Sequence, residues 1–120
     1  MNILIGDSSK LYRLKLKSYI HTLWPEAIVY EEGSLDAVVV SVFAIGFDLL
    51  LLDINLPGSD DLHDFVRQAV LYTKVVICCE EVEDNPKARG FLAMGTEAFL
   101  LKSAKEEDTI STLLFVFSEI

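Results

Sequence analysis

Residues 49–58 read Leu-Leu-Leu-Leu-Asp-Ile-Asn-Leu-Pro-Gly, and this stretch decides the predicted fold. A run of four leucines without alternation is typical of a strand that is covered on both faces of a sheet. Asp53 directly follows the run, and Pro57 and Gly58 are residues typical of a turn. The stretch therefore predicts a buried strand that ends in a carboxylate.

Four further apolar runs lie before and after this strand. They predict strands at 3–5, 27–29, 75–77 and 98–101. Stretches of about a dozen residues with helical spacing separate the five runs, which is the length that a crossover between parallel strands requires. The pattern predicts one α/β domain over residues 1–120, a doubly wound (βα)5 fold with a five-stranded parallel sheet of the flavodoxin-like kind.

Short sequence signals place five helices after the strands. Ser8 or Ser9 is suited to cap the first helix, and a left-handed cap at Gly46 is predicted to end the second. The remaining signals are Gly33 and Ser34 before the second helix, Asp60 or Asp61 at the start of the third, Pro86 and Gly95 around the fourth, and Ala104 to Ser118 for the fifth.

The first helix is predicted to be amphipathic. We expect its apolar residues to face the sheet and its basic residues to face water, where they form either a solvated face or a patch that a partner contacts. The apolar set is Leu11, Leu14, Leu16, Tyr19, Ile20 and Leu23, and the basic set is Lys10, Arg13, Lys15 and Lys17.

Composition excludes several classes of function. The net charge of −9 opposes contact with nucleic acid or anionic membranes, so any DNA is expected to bind through a separate segment. No apolar run is long enough to cross a bilayer as a helix, and we expect a soluble, cytoplasmic protein with no membrane role. Cys78 and Cys79 are adjacent, where a disulfide would strain the peptide, so we expect reduced, buried thiols.

Four residues that can carry chemistry lie at predicted strand ends. They are Asp7, Asp53, Cys79 and Lys102. In an open parallel sheet, ligands bind outside the carboxyl ends of the strands. Taken singly, such residues are more often a helix cap, a core thiol or a solvated lysine. Together, two carboxylates that attract Mg²⁺ and an ammonium that neutralises phosphoryl charge predict a site for phosphoryl transfer.

Three segments resemble response-regulator receiver domains of two-component phosphorelay signalling, particularly those in regulators with a helix-turn-helix output domain. These are residues 3–13 (ILIGDSSKLYR), 50–60 (LLLDINLPGSD) and 95–102 (GTEAFLLK). The resemblance spans essentially the whole chain, and the segment around Asp53 is its most specific part. It implies the receiver fold and a signalling module rather than an enzyme.

The resemblance also implies a role for each site residue. Asp53 is the phosphoacceptor that attacks the phosphoryl group of a kinase phosphohistidine and forms an acyl phosphate, a reaction that requires Mg²⁺. Asp7 is an acidic-pocket residue, and the backbone carbonyl of Asn55 is a further metal ligand. Lys102 is the counter-ion of the phosphate.

Three positions depart from the pattern of the family. Ser8 stands where receivers have a second acidic residue that binds the metal directly, so we expect weak Mg²⁺ binding with Ser8 as a weak ligand. Cys79 stands at the switch position of a Ser or Thr, beside Glu80, and a thiol is a poor hydrogen-bond donor to a phosphoryl group. Phe99 matches the aromatic residue that moves with this switch. Asp61 replaces a common glycine.

These departures leave more than one function open. The first is a receiver that is phosphorylated at Asp53 and switches a surface of the fourth helix, fifth strand and fifth helix. The second is a pseudo-receiver that binds partners independently of phosphorylation. A small phosphohydrolase is a weaker alternative, because the stretch after Asp53 lacks the second Asp that would act as general acid. A flavodoxin-like cofactor binder is disfavoured by the short, acidic loop at residues 6–10.

The expected partners follow from the resemblance. A histidine kinase or phosphotransfer protein would donate the phosphoryl group, and an output domain beyond the C-terminal end of this chain would bind DNA and regulate transcription. Homodimers occur in the family, and the apolar residues of 113–117 exceed what one buried helix stripe uses. We therefore expect part of the last helix to meet another chain or domain.

Overall fold

The computed structural model describes residues 1–58, 62–80 and 86–118, without the side chains of residues 87 and 88. Five strands and five helices alternate along these residues. The elements are β1 (Asn2–Gly6), α1 (Lys10–Leu23), β2 (Ile28–Glu32), α2 (Leu35–Ala44), β3 (Leu49–Asp53), α3 (Leu62–Ala69), β4 (Lys74–Cys79), α4 (Pro86–Leu92), β5 (Ala98–Leu101) and α5 (Glu106–Val116).

The five strands form one parallel sheet in the order β2-β1-β3-β4-β5. The predicted (βα)5 fold is therefore confirmed, and the strands lie where the apolar runs predicted them. The chain moves to one side of β1 to form β2 and to the other side to form β3, so the strand order reverses between β1 and β3.

Helices cover both faces of the sheet, and successive strand residues divide between two cores. Leu50 and Leu52 belong to the core beneath α2, α3 and α4, whereas Leu49 and Leu51 belong to the core beneath α1 and α5. All four leucines are completely buried. The unbroken leucine run is therefore explained by a strand that has no solvent face.

Serine caps begin the first two helices, as predicted. The Ser9 hydroxyl accepts a hydrogen bond from the Tyr12 backbone N–H, and the Ser34 hydroxyl accepts one from that of Ala37. The prediction of a left-handed cap at Gly46 is wrong. Helix α2 ends at an extended Ile45, whose φ is −125°, and the glycines with positive φ in the described residues are Gly58 and Gly95.

The remaining predicted helix bounds have different outcomes, and the fourth helix lies between Pro86 and Gly95 as predicted. The predicted start of the third helix at Asp60 or Asp61 lies outside the described residues. The fifth helix runs from Glu106 to Val116, slightly shorter than predicted at both ends.

The prediction of which α1 residues face the sheet is partly wrong. Leu11 and Leu14 are exposed, with 79% and 51% of their surface accessible, while Leu16 and Ile20 are buried. Because successive helical residues differ by about 100°, the inward stripe that contains Leu16 and Ile20 also contains Tyr12 and excludes Leu11. A spacing of four residues from Tyr12 to Leu16 to Ile20 identifies the face that meets the sheet.

The last helix leaves part of its apolar surface uncovered, as the sequence predicted. Leu113 and Val116 are buried, but Leu114 and Phe115 are exposed. The ring of Phe117 packs edge to face against Trp24 at a centroid distance of 5.2 Å. Homodimerisation stays a prediction. Within the part of the chain that the structure describes, no helix combines the length and apolar character needed to cross a membrane.

Candidate functional site

The carboxyl ends of β1, β3 and β5 bring three charged side chains together. Asp53 is the last residue of β3, Asp7 follows β1, and Lys102 follows β5. Both carboxylates lie beside the reversal of strand order, which is where open α/β sheets bind their ligands. The site predicted from the strand ends is therefore assembled by the topology of the sheet.

A single ammonium bridges the two carboxylates. The Lys102 Nζ atom lies 2.7 Å from Asp7 Oδ2 and 3.0 Å from Asp53 Oδ2. The aspartates are 1% and 2% exposed. Burial lowers the pKa of Lys102, but contacts with Asp7 and Asp53 outweigh this effect, so its pKa lies above the ordinary value of 10.5. The lysine is therefore a fixed positive charge at neutral pH.

Backbone groups orient both carboxylates. The Ser9 N–H donates to Asp7 Oδ1 at 2.8 Å, and the Asn55 N–H donates to Asp53 Oδ1 at 3.0 Å. The carboxylates accept these bonds within turns that follow directly from β1 and β3. Each aspartate thus has one oxygen held by a backbone amide and a second oxygen directed at Lys102.

A glycine makes room for the Asp7 turn. A Cβ atom on Gly6 would lie 2.8 Å from Val38 Cγ2, inside the core beneath α2. The backbone of β1 can therefore approach α2 closely only because residue 6 has no side chain.

Helix α1 contributes two residues to the site that the sequence analysis missed. The Arg13 guanidinium donates to the Asp7 carbonyl oxygen at 2.6 Å and to Glu31 Oε1 at 3.1 Å. Its side chain is only 17% exposed, so the prediction that Arg13 faces water is wrong. The ring of Tyr12 has its centroid 5.1 Å from Lys102 Nζ, within the range of a cation–π contact. The stripe of α1 that contains Leu16 and Ile20 could have identified Tyr12.

Neutral groups lie beside this charged cluster. The Tyr12 hydroxyl and the Cys78 thiol lie close enough to influence each other's ionisation. Burial raises the pKa of both groups far above their ordinary values, and the negative charges of Asp7 and Asp53 raise each pKa further. Both groups are therefore protonated at neutral pH.

The switch positions inferred from the resemblance lie at one end of the site. Cys79 is buried at the end of β4, and its backbone carbonyl accepts a hydrogen bond from the Lys102 N–H at 2.9 Å. Burial raises the pKa of the Cys79 thiol, and the charges of Asp53 and Glu80 raise it further. Phe99 lies on β5 opposite Ile77 of β4 and packs partly buried against the core beneath α2, α3 and α4.

Two other predicted site residues are exposed. Ser8 makes no side-chain hydrogen bond with the part of the chain that the structure describes, and it adds no charge to the pocket. Asn55 reaches Asp53 through its backbone N–H. The departure noted at Asp61 lies outside the described residues.

The donor set fits a weakly held hard cation. Asp7 Oδ2 is buried and pairs with Lys102 at 2.7 Å, and it has no further hydrogen-bond partner among the described residues. Carboxylate oxygens are the ligands that Mg²⁺ prefers. However, one ammonium already offsets one of the two negative charges, and no cluster of three or more His, Cys, Asp or Glu residues able to hold a metal occurs in the described ranges.

Comparison with known proteins finds response regulators and their receiver domains. The chain is 26% identical over 113 residues to the nitrate/nitrite response regulator protein NarL of Escherichia coli K12, an alignment that covers 92% of this chain and 52% of NarL. The chain spans about half the length of the curated relatives it matches. No family model matches the chain.

Solved structures show the same fold. A signal receiver domain of a two-component signal transduction protein from Clostridium thermocellum has a TM-score of 0.82 at 19% identity, with 98% of each chain covered. The signal receiver domain of NarL from Mycobacterium tuberculosis has a TM-score of 0.73 at 22% identity, with 94% of this chain and 92% of that chain covered.

The chain therefore has the fold of response-regulator receiver domains, and the predicted resemblance to them is confirmed. Its sequence is also similar to that of the nitrate/nitrite response regulator protein NarL.

Proposed function

We propose that this chain is a cytoplasmic phosphoacceptor receiver domain, in which Asp53 takes a phosphoryl group from a histidine kinase or a phosphotransfer protein. The observation that supports the proposal best is the Lys102 ammonium, which bridges two buried carboxylates at the point where strand order reverses. A carboxylate held beside a fixed ammonium is suited both to attack phosphorus and to retain the charged product.

The step requires Asp53 as the nucleophile. One of its carboxylate oxygens forms the new O–P bond while the P–N bond of the donor phosphohistidine breaks, and the electron pair returns to the imidazole. The Asn55 N–H fixes the orientation of the attacking carboxylate, at 3.0 Å from Oδ1. Lys102 lies 3.0 Å from Oδ2 and neutralises the charge that arrives with the phosphoryl group.

Asp7, Asp53 and the Asn55 carbonyl would hold Mg²⁺, with Ser8 as a weak additional ligand. A bound Mg²⁺ supplies positive charge to the oxygens of the transferring phosphoryl group. The Lys102 ammonium already contacts both carboxylates, and Ser8 is neutral, so the pocket carries less negative charge than one with a second acidic residue at position 8. We therefore propose that Mg²⁺ binds weakly and that phosphorylation is slow.

The output would change at the surface formed by α4, β5 and α5. Phosphorylation draws Lys102 toward the new phosphoryl group, and the Lys102 backbone is hydrogen bonded to the Cys79 carbonyl at the end of β4. Phe99, two residues before the exposed Leu101 on β5, would carry the change outward. An output domain outside this chain would then regulate transcription by binding DNA.

A pseudo-receiver is the second candidate, and one specific observation favours it. The Lys102 ammonium contacts both carboxylates and offsets one of their two negative charges, so the pocket has less need of a metal ion than two unpaired carboxylates would have. Such a domain would keep the fold and bind its partners whether or not Asp53 is modified.

Intact mass distinguishes the two candidates. We expect one added phosphoryl group after incubation with Mg²⁺ and acetyl phosphate, none in Asp53→Asn, and an unchanged gain in Asp36→Asn, which alters an exposed aspartate on α2. Ser8→Asp is expected to lower the Mg²⁺ concentration needed for half-maximal phosphorylation by about tenfold, because it adds a charged oxygen ligand. No mass gain in the folded native chain, with a competent receiver as control, would favour the pseudo-receiver.

A further inference from the structure

The surface between α2 and α3 is apolar and has no covering element among the described residues. Helix α2 buries Leu35, Val38 and Val42 against the sheet. It carries a second apolar stripe on its outer side, where Val40 and Phe43 are 69% and 52% exposed. A helix that only covers a sheet needs one apolar stripe, so the exposed part of the second stripe exceeds what the fold of this domain requires.

Aromatic rings extend this stripe toward α3 and its C-terminal end. The Phe43 ring packs edge to face against Phe65 of α3 at a centroid distance of 6.5 Å and against Tyr72 at 6.0 Å. Leu71 and Tyr72 are themselves mostly exposed. The exposed apolar surface is therefore continuous from α2 to the segment after α3.

A groove runs along the same surface. It has a volume of about 510 Å³ and lies between α2 and α3, with Val39, Val40 and Phe43 on one side and Phe65 on the other. On α2, Asp36, Val39, Val40 and Phe43 are spaced so that all four share one helix face. A groove between two helices with this spacing is shaped for a third helix.

The charges on the groove determine what kind of helix fits. Its lining includes two carboxylates, Asp36 and Asp64, and no basic residue. Asp64 pairs with Arg67 at 3.2 Å, whereas Asp36 has no ion pair with any described residue. A second copy of the chain would bring the same carboxylates and a further net charge of −9 against this surface. The complementary partner is basic.

We propose that the α2–α3 groove is a docking site for an amphipathic helix of another protein, with an apolar face of i, i+3/i+4, i+7 spacing and Lys or Arg on its flanks. The site lies apart from Asp7, Asp53 and Lys102, and its occupation does not require phosphorylation. The proposal therefore stands or fails independently of the function proposed for Asp53.

A designed peptide tests the proposal directly. The probe is a fluorescein-labelled helix of about 15 residues with Leu at i, i+3, i+4 and i+7 and Lys on its flanks. We expect the full chain to raise its fluorescence anisotropy. Val40→Ser is expected to weaken binding by about fivefold through lost apolar contact, and Asp36→Lys by a similar factor that shrinks as salt is added.

Matched controls decide between the outcomes. Leu11→Ser changes an apolar residue on α1 that is 79% exposed, against 69% for Val40, and should leave the affinity unchanged. A peptide with Glu in place of Lys should bind more weakly. Circular dichroism establishes that each variant is folded. Absent binding, or equal losses in Leu11→Ser and Val40→Ser, would overturn the proposal. So would sedimentation showing a dimer that Val40→Ser dissociates, because the groove would then be filled by a second copy.

Discussion

Two neighbouring regions at the carboxyl edge of the sheet place buried ionisable groups in opposite surroundings. In the first, the Lys102 ammonium contacts the Asp7 and Asp53 carboxylates at 2.7 and 3.0 Å, and these contacts hold its pKa above the ordinary value. In the second, the Tyr12 hydroxyl and the Cys78 thiol are kept neutral, because burial and the nearby carboxylates disfavour their anions. Burial is close to complete for Asp7, Asp53 and Cys78 alike.

The comparison shows that contact with a group of opposite charge, in addition to burial, distinguishes the two regions. An ammonium and a backbone N–H contact the two oxygens of the Asp53 carboxylate. Cys78 lacks such compensation, since the two carboxylates near it act against its thiolate and outweigh Lys102. Removing the shared ammonium should therefore have a much larger effect than perturbing the neutral region.

Lys102→Met breaks the charged region. It leaves two buried carboxylates without their counter-ion, so we expect the free energy of unfolding at neutral pH to fall by about 3 kcal/mol. Urea unfolding followed by circular dichroism measures this value. Lys17→Met is the matched control, because its 3.9 Å contact with Glu31 is partly exposed and should contribute less than about 1 kcal/mol.

Removing one carboxylate as well should relieve part of this loss. We expect Asp7→Asn in the Lys102→Met background to recover about half of the lost free energy of unfolding, since only one buried charge then remains. Equal losses in Lys102→Met and Lys17→Met would show that the bridging ammonium does not stabilise the folded chain.

The charged region could largely be predicted from the sequence, for a topological reason. Asp7, Asp53 and Lys102 each follow an apolar run, and parallel strands align the carboxyl ends of all such runs on one edge. The sequence could not show that the ammonium contacts both carboxylates in the same arrangement. That contact depends on the turns after β1 and β3, in which the backbone N–H groups of Ser9 and Asn55 donate hydrogen bonds to the Asp7 and Asp53 side chains.

The sequence does not predict most of the neutral region, because the contact of Tyr12 with Cys78 depends on the rotation of helix α1 about its axis rather than on the order of residues along the chain. Tyr12 lies over Lys102 because of how α1 is rotated about its axis. The sequence pattern places Leu11 and Leu14 on the inner face of α1, whereas both residues are exposed. Cys78 and Cys79 are adjacent in sequence but lie in different cores, because successive strand residues point to opposite faces. The alternation of side chains along a strand predicts that separation. The contact of Cys78 with Tyr12 cannot be predicted without knowing where α1 lies on the sheet.

Alkaline pH should sharpen the comparison, because it removes the Cys78 proton in the unfolded chain but not in the folded chain. The pKa of Cys78 is raised above its ordinary value of 9.0, first by burial and then by Asp7 and Asp53, with Lys102 opposing. Below pH 9 the thiol is protonated in both states and its contribution to stability is fully present. Above pH 9 the unfolded chain loses the proton while the folded chain keeps it, so stability falls as the pH rises.

The variant Cys78→Ala isolates this contribution. Between pH 7 and pH 10.5 we expect the native chain to lose about 2 kcal/mol more free energy of unfolding than Cys78→Ala, measured by urea unfolding in reductant. The pKa values of Tyr12 and Lys102 are also raised, so both proteins should lose some stability at high pH. Identical pH profiles for the two proteins would contradict a neutral, buried Cys78 thiol.

Tyr12 connects the two regions, since its ring faces the Lys102 ammonium while its hydroxyl lies near the Cys78 thiol. Tyr12→Leu removes both contacts, and we expect it to lower the free energy of unfolding by about 1 kcal/mol beyond the loss in Tyr12→Phe, which keeps the ring over the ammonium. Urea unfolding of both variants at neutral pH gives the difference. The ring contact needs a protonated lysine, so the difference should disappear when each variant also carries Lys102→Met. A difference that persists there would mean that the ring acts by packing alone, and that Tyr12 belongs only to the neutral region.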